Sequence, residues 1–278
     1  MKGAASAHEL VQPASLAEAL ELLAASPGRY LPLAGGTDLM VLFALGRLGT
    51  KELLDLWGLD ELRGIVVEDG AITFGALTTY SQVQAHPTVR AELPMLCAAG
   101  AETGGWAIQN RGTLGGNVAN GSPAADSPPA LLAYGAEVEL ASSGGRRWLD
   151  YATFHTGYKK MLMRPDELLT RIRVPRPPAG HVAYYRKVGP RRAQAISKVC
   201  LAGLVADGQV RIALGGVAPI VTRAPRAEAA VRAGGSPEDV AAELQADIAP
   251  IDDVRSNAGY RRRVAGNLAA ELVRRIKP

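Results

Sequence analysis

Apolar residues in the first part of the chain alternate between helical and extended spacing. Residues Ser15 to Glu18 form a capping-box pattern, and the alanine- and leucine-rich run behind them predicts a helix that ends near Ala25. Short apolar runs predict strands at residues 30–33 and 53–56, and residues 64–77 predict a hairpin that turns at Asp69-Gly70. This order favours an α+β unit over a parallel βαβ array.

The rest of the chain continues with short elements and then changes character. Helices are predicted at 80–86, 95–104 and 128–134, a hairpin at 137–140 with 146–149, and a strand at 168–174. Residues 175–180 are rich in proline and glycine, which predicts a domain boundary. Beyond it we expect antiparallel strands at 183–187, 199–206 and 209–214, then helices at 226–233, 237–247 and 257–276. The predicted parts are residues 1–60, 61–177 and 178–278.

The composition is that of an ordinary globular protein. The chain has 278 residues, of which 47% are hydrophobic, enough for one large core or several small ones. Its 31 basic and 27 acidic residues give a formal net charge of +4, and the mostly scattered basic residues argue against a nucleic-acid partner. No run approaches about 20 uninterrupted apolar residues, and residues 1–12 lack the apolar region of a signal peptide. We expect a cytoplasmic protein with no membrane span. The sequence pI of about 9.1 leaves open a non-enzymatic basic binding protein.

Several common kinds of site find no support in the sequence. Cys97 and Cys200 lie in apolar surroundings and predict buried free thiols rather than a disulfide or a metal site. The four histidines show no ligand spacing with one another or with the cysteines, so we expect no metal site. The chain also lacks a P-loop, a dinucleotide-binding Gly-x-Gly-x-x-Gly fingerprint and a Gly-x-Ser-x-Gly nucleophile motif.

Two glycine-rich segments are the best candidates for function. We name residues 33–39 the N-terminal glycine segment and residues 111–126 the central glycine segment. Such stretches have little side chain to pack into a core, yet they can wrap backbone N–H groups around a phosphate. Two of them, far apart in sequence, predict one long ligand with two phosphates that is held from both ends. The alternatives are that the glycine pairs form tight turns and that Asp126 only caps a helix.

The two segments resemble those of a known family. Ala34-Gly-Gly-Thr-Asp-Leu39, and the run from Gly112 to Asp126 followed by Pro128-Pro-Ala-Leu131, are similar to the flavin-binding subunits of molybdenum hydroxylases. That family includes the medium subunits of xanthine dehydrogenases and carbon monoxide dehydrogenases. The resemblance continues, in the same order, through residues 157–160, 164–168, 187–192, 213–218 and 250–255. It therefore covers almost the whole chain.

The resemblance implies a fold, a cofactor and partners. The fold would be a two-subdomain FAD-binding fold of the vanillyl-alcohol-oxidase type, plus a C-terminal three-stranded antiparallel sheet with helices. FAD would receive electrons from the [2Fe–2S] clusters of a small subunit, after substrate is hydroxylated on a molybdopterin-containing large subunit. It would pass them to an external acceptor, NAD or another. The assembly would be a heterotrimer or a dimer of heterotrimers. Because the flavin carries the redox chemistry, no catalytic acid–base pair is required on this chain.

The resemblance also implies roles for single residues. Backbone N–H groups of the N-terminal glycine segment would bind the FAD pyrophosphate; its residues are Leu33, Ala34, Gly35, Gly36, Thr37, Asp38 and Leu39. In the central segment, Thr113 and Asn117 match polar ligands of the cofactor, and Gly115 and Gly116 match positions where the main chain approaches it closely. Asp126 matches an acid that accepts hydrogen bonds from the cofactor. Leu169 matches an apolar wall, Lys187 a basic contact, and Ile196 an apolar residue near the flavin ring.

Other interpretations of these residues remain. Lys187 could be a solvated edge lysine, and Leu169 and Ile196 could be ordinary core residues. The Arg191-Arg192 pair could bind an acidic acceptor or simply face solvent. In the family branch that uses NAD, an acid commonly stands two positions before the residue matched by Ile196, where this chain has Gln194. The two isolated cysteines exclude the extra iron–sulfur segment of another branch. A self-contained FAD-dependent oxidase or reductase is the alternative function.

Overall fold

The chain folds into three units, each built on its own β-sheet. In a computed structural model, residue 3 and residues 5–49, 52–191 and 194–276 are described. Within these residues, a three-stranded sheet is followed by a five-stranded sheet and then a four-stranded sheet, and a two-stranded ribbon accompanies the second.

The N-terminal unit contains a parallel sheet. Its elements are β1 (Leu10–Val11), α1 (Leu16–Ala25), β2 (Tyr30–Leu33), α2 (Leu39–Ala44) and β3 (Glu52–Asp55). The strand order is β1-β3-β2, and β3 is parallel to both neighbours. The expectation that this region lacks a parallel array is wrong. A two-residue strand gives too short a pattern to detect, and β2 and β3 are joined through α2, which returns the chain for parallel pairing.

Helix α1 has the bounds that the capping pattern predicts. The Ser15 hydroxyl accepts from the Glu18 N–H at 3.2 Å. The Glu18 carboxylate accepts from the N–H of Ala14 rather than from that of Ser15. The two side chains therefore satisfy one N–H group before the helix and one in its first turn, in a variant of the capping box.

The second unit is an antiparallel sheet covered by short helices. Its first half contains β4 (Ile65–Val67), β5 (Ala71–Gly75), α3 (Tyr80–Ala85), α4 (Pro87–Glu92), α5 (Pro94–Glu102), α6 (Trp106–Gln109), α7 (Leu114–Ala119) and α8 (Ser127–Tyr134). Its second half contains β6 (Glu137–Ser142), β7 (Gly145–Asp150), α9 (Tyr151–Phe154), β8 (His155–Gly157), β9 (Lys160–Met161) and β10 (Leu168–Pro175). The main sheet has the order β4-β5-β10-β6-β7. The sequence did not predict α4, α6, α7 and α9. The prolines between the predicted helices at 80–86 and 95–104, Pro87 and Pro94, each begin a helix, because proline fits a helix's first turn.

The C-terminal unit is an antiparallel sheet with three helices on one face. It contains β11 (Val182–Val188), β12 (Val199–Ala206), β13 (Gln209–Gly215), β14 (Thr222–Arg223), α10 (Pro225–Arg232), α11 (Pro237–Asp247) and α12 (Ala258–Ile276). Three strands and three helices lie where the sequence predicts them. The sheet has four strands rather than three, because two-residue β14 pairs with β13 at its edge. Alternation along β12 and β13 gives the sheet two buried faces: Leu201 and Leu214 contact the helices, whereas Ala202 and Ala213 join the core of the second unit.

Helix α8 lies at the centre of this packing. All eight of its residues are buried, and it contacts β12, β13 and α5. Its amino end therefore carries Asp126 into the interior, where the second and C-terminal units meet. The polar groups at that end need partners inside the protein.

Candidate functional site

A cleft of about 1040 Å³ brings the predicted site residues together. Its wall includes residues of the N-terminal glycine segment, of the central segment and of the loop around Ile196. The predicted residues that line it are Ala34, Gly35, Gly36, Thr37, Asp38, Leu39, Thr113, Gly115, Gly116, Asn117, Asp126, Leu169 and Ile196. Leu33 and Lys187 are outside the lining, and Lys187 reaches the site through Asp126.

The N-terminal glycine segment presents unused backbone donors to this cleft. Strand β2 leads directly into it, and the Leu33 carbonyl accepts from the N–H of Leu56 at 2.9 Å. Gly36 has a φ of 75°, in the left-handed region that favours glycine. Among the residues that the structure describes, no acceptor is found for the N–H groups of residues 34–39. Unsatisfied N–H groups in a turn at a cleft are suited to bind an anion.

The two glycine segments touch through their main chains. A Cβ atom added to Gly35 would lie 1.7 Å from the carbonyl oxygen of Arg111 and 3.2 Å from the nitrogen of Gly112. No side chain fits there without moving one segment. Gly35 is therefore needed for the contact between the segments.

The first half of the central segment forms helix α7 rather than an open loop. The first N–H groups of α7 are all satisfied by protein acceptors: Leu114 donates to the Thr78 carbonyl, Gly115 to the Ala76 carbonyl and Gly116 to the Thr113 hydroxyl, each at 3.0 Å. Helix α7 thus offers few free donors for a phosphate. Its glycines serve packing, since a Cβ on Gly115 would lie 2.6 Å from that of Ala76.

Asn117 is held with its amide group in a defined orientation. Its Oδ1 accepts from the hydroxyl of Ser127 at 2.5 Å and from the N–H of Ser127 at 3.3 Å. Because a backbone N–H can only donate, the oxygen position is fixed. The NH₂ group remains to donate elsewhere, and Asn117 lines the cleft.

Asp126 is the centre of a buried polar network. Lys187 Nζ donates to its Oδ2 at 2.8 Å and to the Glu102 carbonyl at 2.8 Å. Thr103 donates to the same carboxylate oxygen, and Ser197 donates to Oδ1 at 2.8 Å. Burial raises the pKa of Asp126 above its ordinary value, while the Lys187 charge and these hydrogen bonds oppose the rise.

This network removes two of the simpler interpretations. Asp126 stands at the N-cap position of α8, but its side chain makes no capping hydrogen bond. The Lys187 side chain is only 4% exposed, so it is not a solvated edge lysine. Both oxygens of Asp126 are already bonded to protein donors, which makes it a support beneath the cleft as well as part of its lining.

Large apolar side chains, one of them buried and three of them exposed, line part of the cleft. Leu169 is buried on β10, beside a bulge in the pairing of β10 with β6. Ile196 is 54% exposed and is therefore not a core residue. Trp106 and Tyr158 are 86% and 63% exposed, and both line the cleft. Exposed apolar side chains gathered at one cleft mark a binding surface. The sequence did not identify Trp106 and Tyr158 as site residues, although Tyr158 lies in the 157–160 motif of the resemblance and Trp106 follows the Gly104-Gly105 pair.

The loop before Ile196 lies against the helix α6 region. Gln194 has a φ of 49° and lines the cleft. A Cβ on Gly105 would lie 2.6 Å from Gln194 Nε2, so that glycine allows the loop to approach. Arg191 Nε donates to the Gln194 carbonyl at 3.1 Å. Of the predicted Arg191-Arg192 pair, Arg192 lies outside the described residues.

The motif at residues 250–255 also reaches the cleft. Arg255 lines it, and its Nη1 donates to Asp253 Oδ2 at 3.2 Å. The buried Arg261 donates to Asp253 Oδ1 at 2.8 Å and to the carbonyls of Lys198 and Gly216. This arrangement fixes the main chain directly after Ser197. From sequence alone, this motif belongs to the family resemblance and has no predicted role.

The remaining chemistry of the described residues is limited. Cys200 is buried and Cys97 is half-buried, and both are free thiols; burial raises the pKa of Cys97 to about 11. No group of three or more metal-ligating side chains occurs in the described part of the chain. Nor does any helix there have the length and apolarity to cross a membrane.

Comparison with known proteins identifies the family. A family model described as "FAD binding domain in molybdopterin dehydrogenase" matches residues 6–177, and one described as "CO dehydrogenase flavoprotein C-terminal domain" matches residues 183–276. The chain belongs to this family of FAD-binding subunits. It binds FAD and is a component of an oxidoreductase.

Several proteins similar to this FAD-binding subunit match it over nearly their whole length. The xanthine dehydrogenase FAD-binding subunit of Escherichia coli O157:H7 is 33% identical over 94% of this chain and 92% of its own. The carbon monoxide dehydrogenase medium chain of Afipia carboxidovorans is 33% identical over 96% and 95%. A structure of reconstituted CO dehydrogenase from Oligotropha carboxidovorans aligns with a TM-score of 0.91 at 28% identity, covering 99% of this chain and 98% of that one.

Proposed function

We propose that this FAD-binding subunit transfers electrons within a molybdenum hydroxylase complex. It receives electrons from the [2Fe–2S] clusters of a small partner subunit and passes them through FAD to an external acceptor, NAD or another. Substrate is oxidised on a molybdopterin-containing large subunit. The assembly is a cytoplasmic heterotrimer or dimer of heterotrimers, in which residues 1–60, 61–177 and 178–278 of this chain form its three parts.

The observation that carries the proposal is the combination of two surfaces in one cleft. The unused N–H groups of residues 34–39 fit the two negative charges of a pyrophosphate. Exposed Ile196, Trp106 and Tyr158 fit the apolar faces of a ring system. FAD, the cofactor of the family, carries both a pyrophosphate and a planar ring system.

The residues of the cleft divide the work of holding this cofactor. The N-terminal glycine segment binds the pyrophosphate, and the Asn117 NH₂ group donates a hydrogen bond to the cofactor. Leu169 and Ile196 flank the ring and limit its contact with water. The ion pair between Lys187 and Asp126 supports the cleft from beneath its lining. Bound FAD supplies the redox chemistry, so these side chains bind, orient and exclude water rather than react.

Reduction of the purified chain tests the proposal. The chain is loaded with FAD and mixed with organic substrates of hydroxylases, while dithionite serves as the control that the flavin can be reduced. We expect bleaching of the flavin absorbance with dithionite alone. In parallel, purification from the native source is expected to yield partner chains with molybdopterin and [2Fe–2S] clusters. A solitary protein whose flavin is reduced directly by an organic substrate would instead be a self-contained oxidase or reductase.

A further inference from the structure

Two arginines lie over one tryptophan at the junction of the first two units. The guanidinium carbon of Arg111 is 3.7 Å from the centre of the Trp57 ring, and that of Arg63 is 4.5 Å from it. Arg63 also donates through Nη2 to the Trp57 carbonyl and pairs with Asp60 at 3.6 Å. For Arg111, the described residues provide no carboxylate partner, so the indole is its principal contact.

The position of this cluster connects it with both glycine segments. Trp57 comes two residues after β3, and the residue between them, Leu56, donates its N–H to Leu33 at the start of the N-terminal segment. The Trp57 N–H is itself bound by Asp55 Oδ1 at 3.0 Å. Arg111 is the first residue of the central segment, and its carbonyl oxygen is the atom that approaches Gly35. The contact between Trp57 and Arg111 thus links the end of β3, which is bonded to the N-terminal glycine segment, with the central glycine segment. The two segments also touch through their main chains.

We propose that Trp57 and Arg111, with Arg63, form a clasp that sets the separation of the two glycine segments that line the FAD cleft. The clasp positions the unused N–H groups of residues 34–39 relative to the central segment. None of the three side chains lines the cleft, so they act as positioning residues. A site that is held in its binding geometry loses less conformational freedom when its ligand binds. The inference rests on the proposed location of the cofactor.

The chain contains a matched control for this clasp. Arg173 lies over the ring of Trp148 at 4.3 Å, in a similar cation–π contact on the second unit's sheet. Trp148 is half-buried like Trp57, and it does not line the cleft. Replacing either tryptophan by leucine removes one indole together with its cation–π contacts, two at Trp57 and one at Trp148. Only Trp57→Leu should change the affinity for FAD.

The experiment measures FAD affinity and FAD dissociation rate of the full chain by flavin fluorescence, together with the melting temperature of the FAD-free protein. We expect Trp57→Leu to weaken FAD binding about tenfold and to speed dissociation by a similar factor, since cation–π contacts at partly exposed sites are modest. Trp148→Leu should leave both within about twofold, whatever its effect on melting. Trp57→Phe should recover much of the loss, because a phenyl ring also attracts a guanidinium.

Arg111→Met provides a second route should Trp57→Leu fold poorly. It keeps the length of the side chain but removes its charge, and we expect nearly the same loss of FAD affinity. The double variant should lose little more than either single one, because the two side chains act as one contact. Wild-type affinity in both Trp57→Leu and Arg111→Met, or an equal loss in Trp148→Leu, would overturn the clasp. If FAD does not bind in this cleft at all, Gly35→Ala should also bind FAD normally. That result separates a wrong cofactor location from a failure of the clasp alone.

Discussion

The two glycine segments look alike in sequence but use their backbones in opposite ways. In the N-terminal segment, the N–H groups of residues 34–39 find no acceptor among the described residues. In the central segment, the first N–H groups of α7 are all bonded to Ala76, Thr78 and Thr113. The N-terminal segment therefore leaves a continuous run of main-chain donors for an anion, whereas the start of α7 does not. Glycine content alone does not distinguish these two uses.

Their glycines also exclude side chains for different reasons. Gly35 lets one segment meet the other, since a Cβ would lie 1.7 Å from the Arg111 oxygen. Gly115 lets α7 pack on the end of β5, where a Cβ would lie within 2.6 Å of Ala76. The first glycine builds the cleft, whereas the second supports the fold beneath it. Substitutions should separate these effects.

Gly35→Ala should have the largest effect on the cofactor. The methyl group forces the two segments apart, so we expect FAD affinity to fall by at least about a thousandfold, or about 4 kcal/mol. Isothermal titration of the FAD-free protein measures this directly. Gly58→Ala is the control, because nothing lies within 4 Å of a Cβ there. Near-normal FAD binding by Gly35→Ala would show that the segments do not form the pyrophosphate site.

Lys187→Met should have the next largest effect, on stability. It leaves the Asp126 charge buried without its counterion, which costs about 3–5 kcal/mol for a buried pair. Urea unfolding of the FAD-free protein gives the free energy of unfolding. The double variant with Asp126→Asn should recover part of the loss. Arg274→Met, which removes an exposed ion pair with Glu238, should change stability by less than about 1 kcal/mol. A similarly small change in Lys187→Met would mean that the network is not a buried support.

Gly115→Ala should lower stability by a smaller amount. Overpacking at the contact of α7 with Ala76 costs about 1–3 kcal/mol in the free energy of unfolding. Gly266→Ala in α12 is the matched helical control, because the nearest atom to its Cβ would be the flexible end of the Gln245 side chain, at 3.3 Å, and Ala241 would lie at ordinary contact distance, 3.6 Å. Alanine favours a helix over glycine, so the control should keep or gain stability. Equal losses of unfolding free energy in Gly115→Ala and Gly266→Ala would show that Gly115 has no special packing role.

Local pattern predicted much of the secondary structure. The bounds of α1 and α11 agree with the predicted ones because serine caps and a proline at the first turn are signals within a few residues. Strand β1 and β14 have two residues each, too few to show alternation. Helix α7 was missed because two glycines weaken its local preference, and its first N–H groups depend on residues far along the chain.

The glycine pattern indicated the two site segments, but the roles of single residues such as Asp126, Lys187 and Ile196 came from the family resemblance. The sequence placed Asp126 and Lys187 at the site, but their separation by 61 positions hides the ion pair that joins them. Exposed Trp106 looks like any apolar residue until the fold places it at the cleft. The roles proposed for these residues toward FAD remain predictions.

His155 provides the smallest test, since it supports the central segment from outside the cleft. Its Nε2 lies 3.0 Å from the Val118 carbonyl of α7, which requires a proton on that nitrogen, and Phe154 and Tyr151 contact the ring. Burial lowers the pKa of His155 below its ordinary value. The unfolded chain therefore binds a proton below about pH 6.5 more readily than the folded one.

We expect the stability of the FAD-free protein to fall as the pH drops from 7 to 5. His155 contributes at most about 1.4 kcal/mol per pH unit to that slope. His155→Gln, whose amide can still donate to Val118, should flatten the curve without weakening FAD binding at pH 7. An unaltered slope in His155→Gln would mean that the ring accepts a proton in the folded protein, and that α7 tolerates a charge beneath it.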